Sequence, residues 1–207
     1  MTTIEVKLPR LFDAQKAVHN DPARYRVLVC GRRWGKTTVA EFETCKALLE
    51  GKNVGYFSVT YKNIEELWEN VYNRMLPIKQ HSDKTTKRLR TITGGLFECW
   101  SLDKINTMRG RAFHLIIIDE SAFIKDLKNA YEKSLRPTLA DYKGRALFAS
   151  SPNGYNYFHT MYMRGVDDTD KWSDWSAYRY STYDNPYIDN EEINDAKKEL
   201  PERAFLQ

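Results

Sequence analysis

The chain has 207 residues, a formal net charge of +4 and a hydrophobic content of 42%. These values suit one large domain or two small ones with a real core, and the mild positive charge is compatible with nucleic-acid binding without establishing it. No apolar run approaches the ~18 residues of a membrane-spanning helix, so we expect no membrane partner. Cys30, Cys45 and Cys99 form no zinc-binding pattern and indicate buried reduced thiols in a cytosolic compartment.

Strands and helices alternate along the first 150 residues. In chain order, the apolar periodicity predicts a helix over 12–20, a strand over 26–30, a helix over 36–50, a strand over 53–60, a helix over 62–75, a hairpin from 88–93 and 96–101, and strands over 113–119 and 145–150. This alternation predicts an α/β fold with a mostly parallel central sheet and helices on both faces.

The last part of the chain has a different composition. The stretch WSDWSAYRYSTYDNPYIDN is aromatic and polar, and Asn185-Pro186 is a turn signal. A short helix is predicted over 190–199. The final residues 204–207 are compatible with a helix and carry no terminating signal, so we interpret them as part of a linker.

The stretch VLVCGRRWGKTT, residues 27–38, has the pattern of a phosphate-binding loop between a strand and a helix. In such a loop, backbone N–H groups and the positive end of the helix surround a phosphate. Lys36 would reach the β- and γ-phosphates of a nucleotide, and the Thr37 hydroxyl would bind Mg²⁺. Cys30 replaces the first glycine of the pattern G-x-x-x-x-G-K-[ST], so a plain Gly/Lys turn is the alternative for these residues alone.

Two acids follow the apolar strand Ile116-Ile117-Ile118. A carboxylate at the tip of a central strand beside the phosphate loop can hold a magnesium ion, and we assign this role to Asp119. The adjacent Glu120 can accept a proton from the attacking water or orient it. The alternative is that both acids begin a surface loop, but a buried carboxylate without a partner or a metal is costly.

With these motifs the chain resembles the ATPase domain of the large terminase subunit, the DNA-packaging motor of tailed bacteriophages and related viruses. The resemblance covers roughly residues 8–165. It includes three further elements: Phe12-Asp13-Ala14-Gln15 is similar to the family's adenine-recognising element, Met108-Arg109-Gly110 to its Leu-Arg-Gly element, and Ser150-Ser151-Pro152-Asn153-Gly154 to its coupling motif. The resemblance implies a P-loop NTPase fold of the additional-strand (ASCE) type.

The resemblance also implies roles for individual residues. Mg²⁺ would be held by Thr37 and Asp119, and catalysis would involve Lys36, Glu120, Arg32 and Arg109. The ATP-binding residues would be Gln15, Gly31, Arg32, Arg33, Trp34, Gly35, Lys36, Thr37 and Thr38.

Several of these roles have alternatives. A guanidinium from Arg32 or Arg33 would offset charge at the γ-phosphate, or both arginines are solvated or pair with loop acids. Trp34 packs under the loop or contacts a neighbour. Arg109 would act on the ATP of a neighbouring subunit, with Arg111 or a purely structural Arg109 as alternatives.

The coupling residues Ser150 and Ser151 would sense the γ-phosphate and link it to the grip on DNA, or they form a simple turn capped by Pro152. The basic stretch 84–90 either faces the DNA backbone or is a solvated hairpin edge.

As a whole, the resemblance implies a Mg²⁺-dependent ATPase that drives double-stranded DNA into a procapsid as a ring of subunits in the host cytoplasm. The full-length protein would also bind a portal protein and a small terminase subunit. We place the P-loop domain at 1–180 and interpret 181–207 as the start of a linker or lid leading to a nuclease domain outside this sequence, so we expect no DNA cleavage by this chain. The alternatives are a superfamily-2-like helicase or translocase and a nucleotide-dependent binding module.

Overall fold

The computed structural model describes residues 4–59, 61–102 and 110–199. Within these ranges, eight strands form one sheet in the order β3-β4-β5-β2-β6-β7-β1-β8. The strands are β1 (Tyr25–Cys30), β2 (Asn53–Ser58), β3 (Lys79–Asp83), β4 (Arg88–Thr91), β5 (Leu96–Ser101), β6 (Leu115–Asp119), β7 (Arg145–Ser150) and β8 (Trp175–Tyr180).

Helices cover both faces of the sheet. They are α1 (Asp13–Asn20), α2 (Lys36–Leu49), α3 (Tyr61–Met75), α4 (Leu127–Asn129), α5 (Tyr157–Val166) and α6 (Asn190–Glu199). After α4 the chain continues as a π-helical turn and then a 3₁₀ turn, which end at Leu139. None of the helices in the described ranges is long and apolar enough to cross a membrane.

The sheet separates two hydrophobic cores. Alternate residues of a strand point to opposite faces, so Ile117 of β6 packs with α1, α2 and α3, whereas Ile116 and Ile118 pack with α4 and α5. All five residues of β6 are buried. A strand buried on both faces is apolar without alternation, which explains why the central strands were predictable from their composition.

Pairing is parallel across β5-β2-β6-β7-β1-β8 and antiparallel across β3-β4-β5. The strand β7 lies between β1, which enters the phosphate loop, and β6, which carries the two acids. This arrangement confirms the mostly parallel α/β fold with an additional strand between the two motifs.

The structure contains two strands that the sequence did not predict. Strand β3 has the polar sequence KQHSD and lies exposed at one edge of the sheet. Strand β8 lies at the other edge and is only half-buried, so its aromatic and polar residues do not form an apolar run. The predicted hairpin across Gly94-Gly95 is present as β4 and β5.

Candidate active site

The phosphate loop connects the end of β1 to the start of α2. Gly35 precedes α2 with a left-handed backbone at φ 100°. This backbone conformation favours glycine, and a Cβ added here would lie 2.5 Å from Nε2 of Gln15 and displace that amide. Arg33 is also left-handed, at φ 59°. This conformation is strained for a residue with a side chain, so contacts around the loop must hold it.

Lys36 is the first residue of α2, and its ammonium group points back over the loop. Its Nζ lies 3.1 Å from Oγ of Ser151 and 3.5 Å from the carbonyl oxygens of Cys30 and Gly31. These three partners are neutral, and no ion pair between Lys36 and an acid of the described ranges is present. The positive charge is therefore available to an anionic ligand.

Asp119 is the last residue of β6 and is only 8% exposed. Its Oδ2 accepts a 2.7 Å hydrogen bond from the phenol of Tyr56 on β2, and its Oδ1 accepts one from the backbone N–H of Glu120. Burial raises the pKa of Asp119, and these hydrogen bonds and the charge of Lys36 oppose that effect only in part. Tyr56 carries no motif, and only the adjacency of β2 and β6 reveals its role.

Glu120 follows Asp119 in the left-handed conformation, with φ 51° and ψ 39°, and begins the short 3₁₀ turn Ser121–Phe123. Its carboxylate Oε2 accepts a 3.4 Å hydrogen bond from Oγ of Ser150. Burial and then the charge of Asp119 raise the pKa of Glu120, while Lys36 and Ser150 lower it. A raised pKa is typical of a carboxylate that accepts protons.

Ser150 and Ser151 lie at the tip of β7, between the phosphate loop and the acids. Ser150 contacts Glu120 and also accepts a 3.1 Å hydrogen bond from the N–H of Ala122. Ser151 contacts Lys36. The candidate coupling residues therefore touch both sides of the site, and they do so because β7 is the intervening strand.

Lys36, Glu120 and Ser151 line a cleft of about 580 Å³, whereas Asp119 and Ser150 are not among its lining residues. Its lining combines loop cations, one acid and two apolar side chains. The lining residues are Arg32, Arg33, Gly35, Lys36, Thr37, Val59, Asn63, Glu120, Phe123 and Ser151. Asn63 and Phe123 were not predicted, because nothing in their local sequence distinguishes them from ordinary helix and turn residues.

Gln15 does not line this cleft. Its side chain is 2% exposed, and its Nε2 donates hydrogen bonds to the carbonyl oxygens of Gly35 and Trp34 at 3.2 and 3.5 Å. Its Oε1 accepts a 3.2 Å hydrogen bond from the N–H of Phe12. In this structure Gln15 therefore supports the phosphate loop from below.

Trp34 and Thr38 also lie outside the cleft lining. Trp34 is fully buried and stacks on Tyr180 of β8, with ring centroids 4.8 Å apart and planes inclined by 8°. It packs under the loop, as one of the two predicted alternatives had it.

Of the two arginines considered for action in trans, Arg109 lies outside the described residues. Arg111 forms a 3.5 Å ion pair with Glu98, and its guanidinium lies 5.7 Å from the ring centroid of Trp100.

A short segment after β8, residues 181–185, holds the outer side of the phosphate loop. Oγ1 of Thr182 donates a 2.7 Å hydrogen bond to the carbonyl of Arg32, and Nδ2 of Asn185 donates one of 2.7 Å to the carbonyl of Arg33. A Cβ added to Gly31 would lie 2.7 Å from Oγ1 of Thr182. We call residues 181–185 the loop strap.

The donor set fits a nucleotide with a divalent cation. Magnesium prefers oxygen ligands, and the site offers the Thr37 hydroxyl at the start of α2 and the Asp119 carboxylate. The hydrogen-bond donors to Asp119, Tyr56 and the Glu120 N–H, are both neutral, so a cation would compensate this buried charge. The left-handed loop and the available charge of Lys36 suit phosphate oxygens.

A family model described as terminase large subunit, T4likevirus-type, N-terminal, matches residues 27–204. The chain belongs to this terminase family. It is 29% identical over 196 residues to the terminase large subunit of Escherichia phage T5, which covers 90% of this chain and 43% of that protein. Against the terminase large subunit of Thermus phage G20c it is 25% identical over 174 residues, covering 73% of this chain and 36% of that protein. This terminase chain thus spans less than half the length of these curated relatives.

Solved structures show the same fold. The large terminase ATPase domain of Thermus phage P74-26 superposes with a TM-score of 0.82 at 22% identity, covering 96% of this terminase chain and 92% of that domain. The large terminase of a thermophilic bacteriophage, solved in complex with ADP, gives a TM-score of 0.65 at 15% identity, covering 90% of this chain and 49% of that one. The predicted membership of the terminase large subunits and the predicted fold are both confirmed, and the helicase alternative is not favoured.

Proposed function

We propose that this chain is the ATPase motor domain of a phage terminase large subunit, and that it hydrolyses Mg²⁺-bound ATP to move double-stranded DNA into a procapsid. One observation carries the ATPase proposal: Lys36, Glu120 and Ser151 line a single cleft at the ends of three strands. The family supplies the link to DNA packaging.

The proposed mechanism assigns each step to residues of this chain. The loop N–H groups and Lys36 bind the phosphates, and Glu120 accepts a proton from the attacking water or orients it. A magnesium ion bound through Thr37 and Asp119 would neutralise charge on the phosphate oxygens. Arg32 or Arg33, which line the cleft, would stabilise the charge that develops at the γ-phosphate.

The large terminase of the same thermophilic bacteriophage has been solved with ADP and with ATP-gamma-S. We infer by analogy that ATP is the nucleotide of this chain. Because the curated relatives are more than twice as long, we also infer that residues 181–207 lead toward a further domain and that any nuclease activity belongs there. Ring assembly, the portal protein, the small terminase subunit and action in the host cytoplasm are part of the same proposal.

The test is phosphate release from ATP with Mg²⁺, alongside a separate measurement of nucleotide binding. Lys36→Ala should lose both, because the phosphates lose their cation. Glu120→Gln should bind ATP and fail to hydrolyse it, because positioning survives without a proton acceptor. Lys46→Ala is the matched control, since this exposed lysine lies on the same helix and pairs with Glu50. Hydrolysis by Glu120→Gln at the unmodified rate would exclude the proposed mechanism.

Action in trans is tested by mixing. An Arg109→Ala protein keeps its own phosphate loop, whereas a Lys36→Ala protein keeps Arg109. Under the proposal each is nearly inactive alone and mixed assemblies regain activity, since an arginine supplied in trans is worth about 10³–10⁵ in rate. Confirmed assembly without recovery would exclude a role for Arg109 in the neighbouring site.

A further inference from the structure

Both backbone polar atoms of Ala122 are held by the end of β7 and the segment that follows it. The N–H of Ala122 donates a 3.1 Å hydrogen bond to Oγ of Ser150. Its carbonyl oxygen accepts hydrogen bonds from Nδ2 of Asn156 at 2.8 Å and from Nδ2 of Asn153 at 3.2 Å. Ala122 is 4% exposed, so these side chains replace water as its partners.

Ala122 lies in the 3₁₀ turn that Glu120 begins. The backbone N–H of Phe123 donates a 2.9 Å hydrogen bond to the carbonyl of Glu120 and closes the turn. Glu120 has a left-handed backbone at φ 51°, which a non-glycine residue holds only when its surroundings enforce it. The hydrogen bonds to Ala122 help to hold this conformation, because they fix the turn two residues after Glu120.

The Asn156 side chain has two separable tasks. Its Oδ1 accepts a 3.2 Å hydrogen bond from the N–H of His159 and caps the start of α5. Its Nδ2 donates to Ala122 and, at 3.1 Å, to the carbonyl of Asn153. The acceptor half of the amide therefore serves the helix, and the donor half serves the turn of Glu120.

We propose that Asn156 is a positioning residue for Glu120: its amide donor holds the Ala122 carbonyl and thereby keeps the Glu120 carboxylate in place over the phosphate loop. The inference rests on the proposed ATPase function and adds a residue outside the phosphate loop, the acid pair and the coupling serines. Asn156 itself does not line the cleft, so it acts through the turn. Its loss should slow the chemical step and leave nucleotide binding intact.

Asn156→Asp separates the two tasks. Aspartate is as good a helix cap as asparagine, but it donates no hydrogen bond and sets a carboxylate against the Ala122 carbonyl. We expect the single-turnover rate of ATP hydrolysis to fall by about 10²-fold, the loss that a misplaced catalytic group produces. The nucleotide dissociation constant should remain close to that of the unmodified chain, whereas the melting temperature should fall by a few degrees, because the new carboxylate faces a buried carbonyl. Asn73→Asp, at an exposed position of α3, controls for the added charge.

Asn156→Ser separates the missing donor from the added charge and serves as the second variant if Asn156→Asp does not fold. Serine is also a good helix cap, but its short side chain does not reach the Ala122 carbonyl. It should show a similar loss of rate with unchanged nucleotide affinity. A serine variant that hydrolyses at the unmodified rate would overturn the inference, and so would a loss explained entirely by weaker ATP binding.

Including Glu120→Gln in the same series distinguishes the catalytic role of Glu120 from the positioning role of Asn156. If Glu120→Gln is slow while both Asn156 variants are normal, the positioning role alone is wrong. If Glu120→Gln hydrolyses normally, the assignment of Glu120 fails, and the positioning role fails with it. Slow variants at both positions, with the Asn73 control normal, support both.

Discussion

The phenol of Tyr56 donates a 2.7 Å hydrogen bond to Oδ2 of Asp119, from the middle of β2 to the tip of the adjacent strand β6. Burial, followed by the charge of Asp119, raises the pKa of Tyr56 well above its usual value. The phenol therefore remains protonated at neutral pH and can donate this hydrogen bond. A residue without any motif thus orients the carboxylate that we propose as the magnesium ligand.

Tyr56→Phe removes that donor and leaves the ring in place. A ligand that loses its supporting hydrogen bond binds metal about 10–100-fold more weakly, so the Mg²⁺ concentration for half-maximal ATP hydrolysis should rise by that order. The measurement is a magnesium titration of phosphate release at saturating ATP. Tyr155→Phe, at a side chain that is 93% exposed, is the control. An unchanged magnesium requirement in Tyr56→Phe would show that Asp119 does not depend on this contact.

Gln15 offers a test between two roles. The resemblance implies adenine recognition, whereas in this structure its amide donates to the carbonyls of Gly35 and Trp34. We expect Gln15→Ala to weaken binding of ATP and GTP by the same factor, about tenfold, since two neutral hydrogen bonds to the loop are lost. Competition binding with the two nucleotides measures this. A loss confined to ATP would instead establish the adenine role.

The loop strap should control nucleotide affinity from outside the cleft. Asn185→Ala removes the hydrogen bond to the carbonyl of Arg33, a residue with a strained left-handed backbone. One such hydrogen bond contributes about 1 kcal/mol, so ATP binding should weaken by roughly fivefold if the loop must regain this conformation to bind. Isothermal titration with a non-hydrolysable ATP analogue gives the value. Asn20→Ala, at an exposed position of α1, is the control and should bind ATP with unchanged affinity. Unchanged ATP affinity in Asn185→Ala would show that the loop strap does not contribute to nucleotide binding.

The lowered pKa of Glu43 predicts how the free energy of unfolding changes at acidic pH. Burial raises the pKa of its carboxyl, but the Arg26 guanidinium and a hydrogen bond from His19 outweigh burial and lower the pKa from 4.5 to about 2. A carboxyl with a depressed folded-state pKa contributes stability above its unfolded pKa and loses it as the pH falls through the folded value. The contribution of Glu43 should thus be complete above about pH 5 and decline toward pH 2, by about 3 kcal/mol in all.

The measurement is the free energy of unfolding in urea as a function of pH. Glu43→Gln should flatten the acid limb of this curve, because the titrating group is gone. The variant should also be less stable at neutral pH by about 3–5 kcal/mol, since the Arg26 charge is buried and loses its partner. An acid limb equally steep in both proteins would show that other carboxyls dominate. Glu50→Gln, at an exposed carboxyl that pairs with lysines, provides the surface comparison.

Much of the site was predictable because the residues of each motif are adjacent in the sequence. The phosphate loop is one continuous stretch of sequence. Asp119 and Glu120 follow a strand that is predictable from its run of apolar residues. The structure places Lys36, Glu120 and Ser151 in one cleft.

The rest depends on contacts that no local pattern records. Tyr56 meets Asp119 only because β2 lies beside β6, and the order of strands in a sheet is not encoded by the periodicity of any one strand. Asn185 meets Arg33 across 152 positions of sequence. The strand β8 was not predicted because each of its faces mixes aromatic residues with small or polar ones, a composition that is also compatible with a loop. In the structure, Trp175 and Ala177 pack on one core, and Tyr178 and Tyr180 pack on the other.

The position of β7 has a consequence for the charges of the site. Neighbouring strands lie about 4.8 Å apart, so inserting one strand sets the ends of β1 and β6 about 10 Å from each other. Lys36 and Glu120 are the opposite charges of the cleft on the two sides of this strand. Each of them contacts a serine at the end of β7: Ser151 contacts the ammonium and Ser150 the carboxylate. The fold thereby gives two opposite charges of one cleft separate neutral partners.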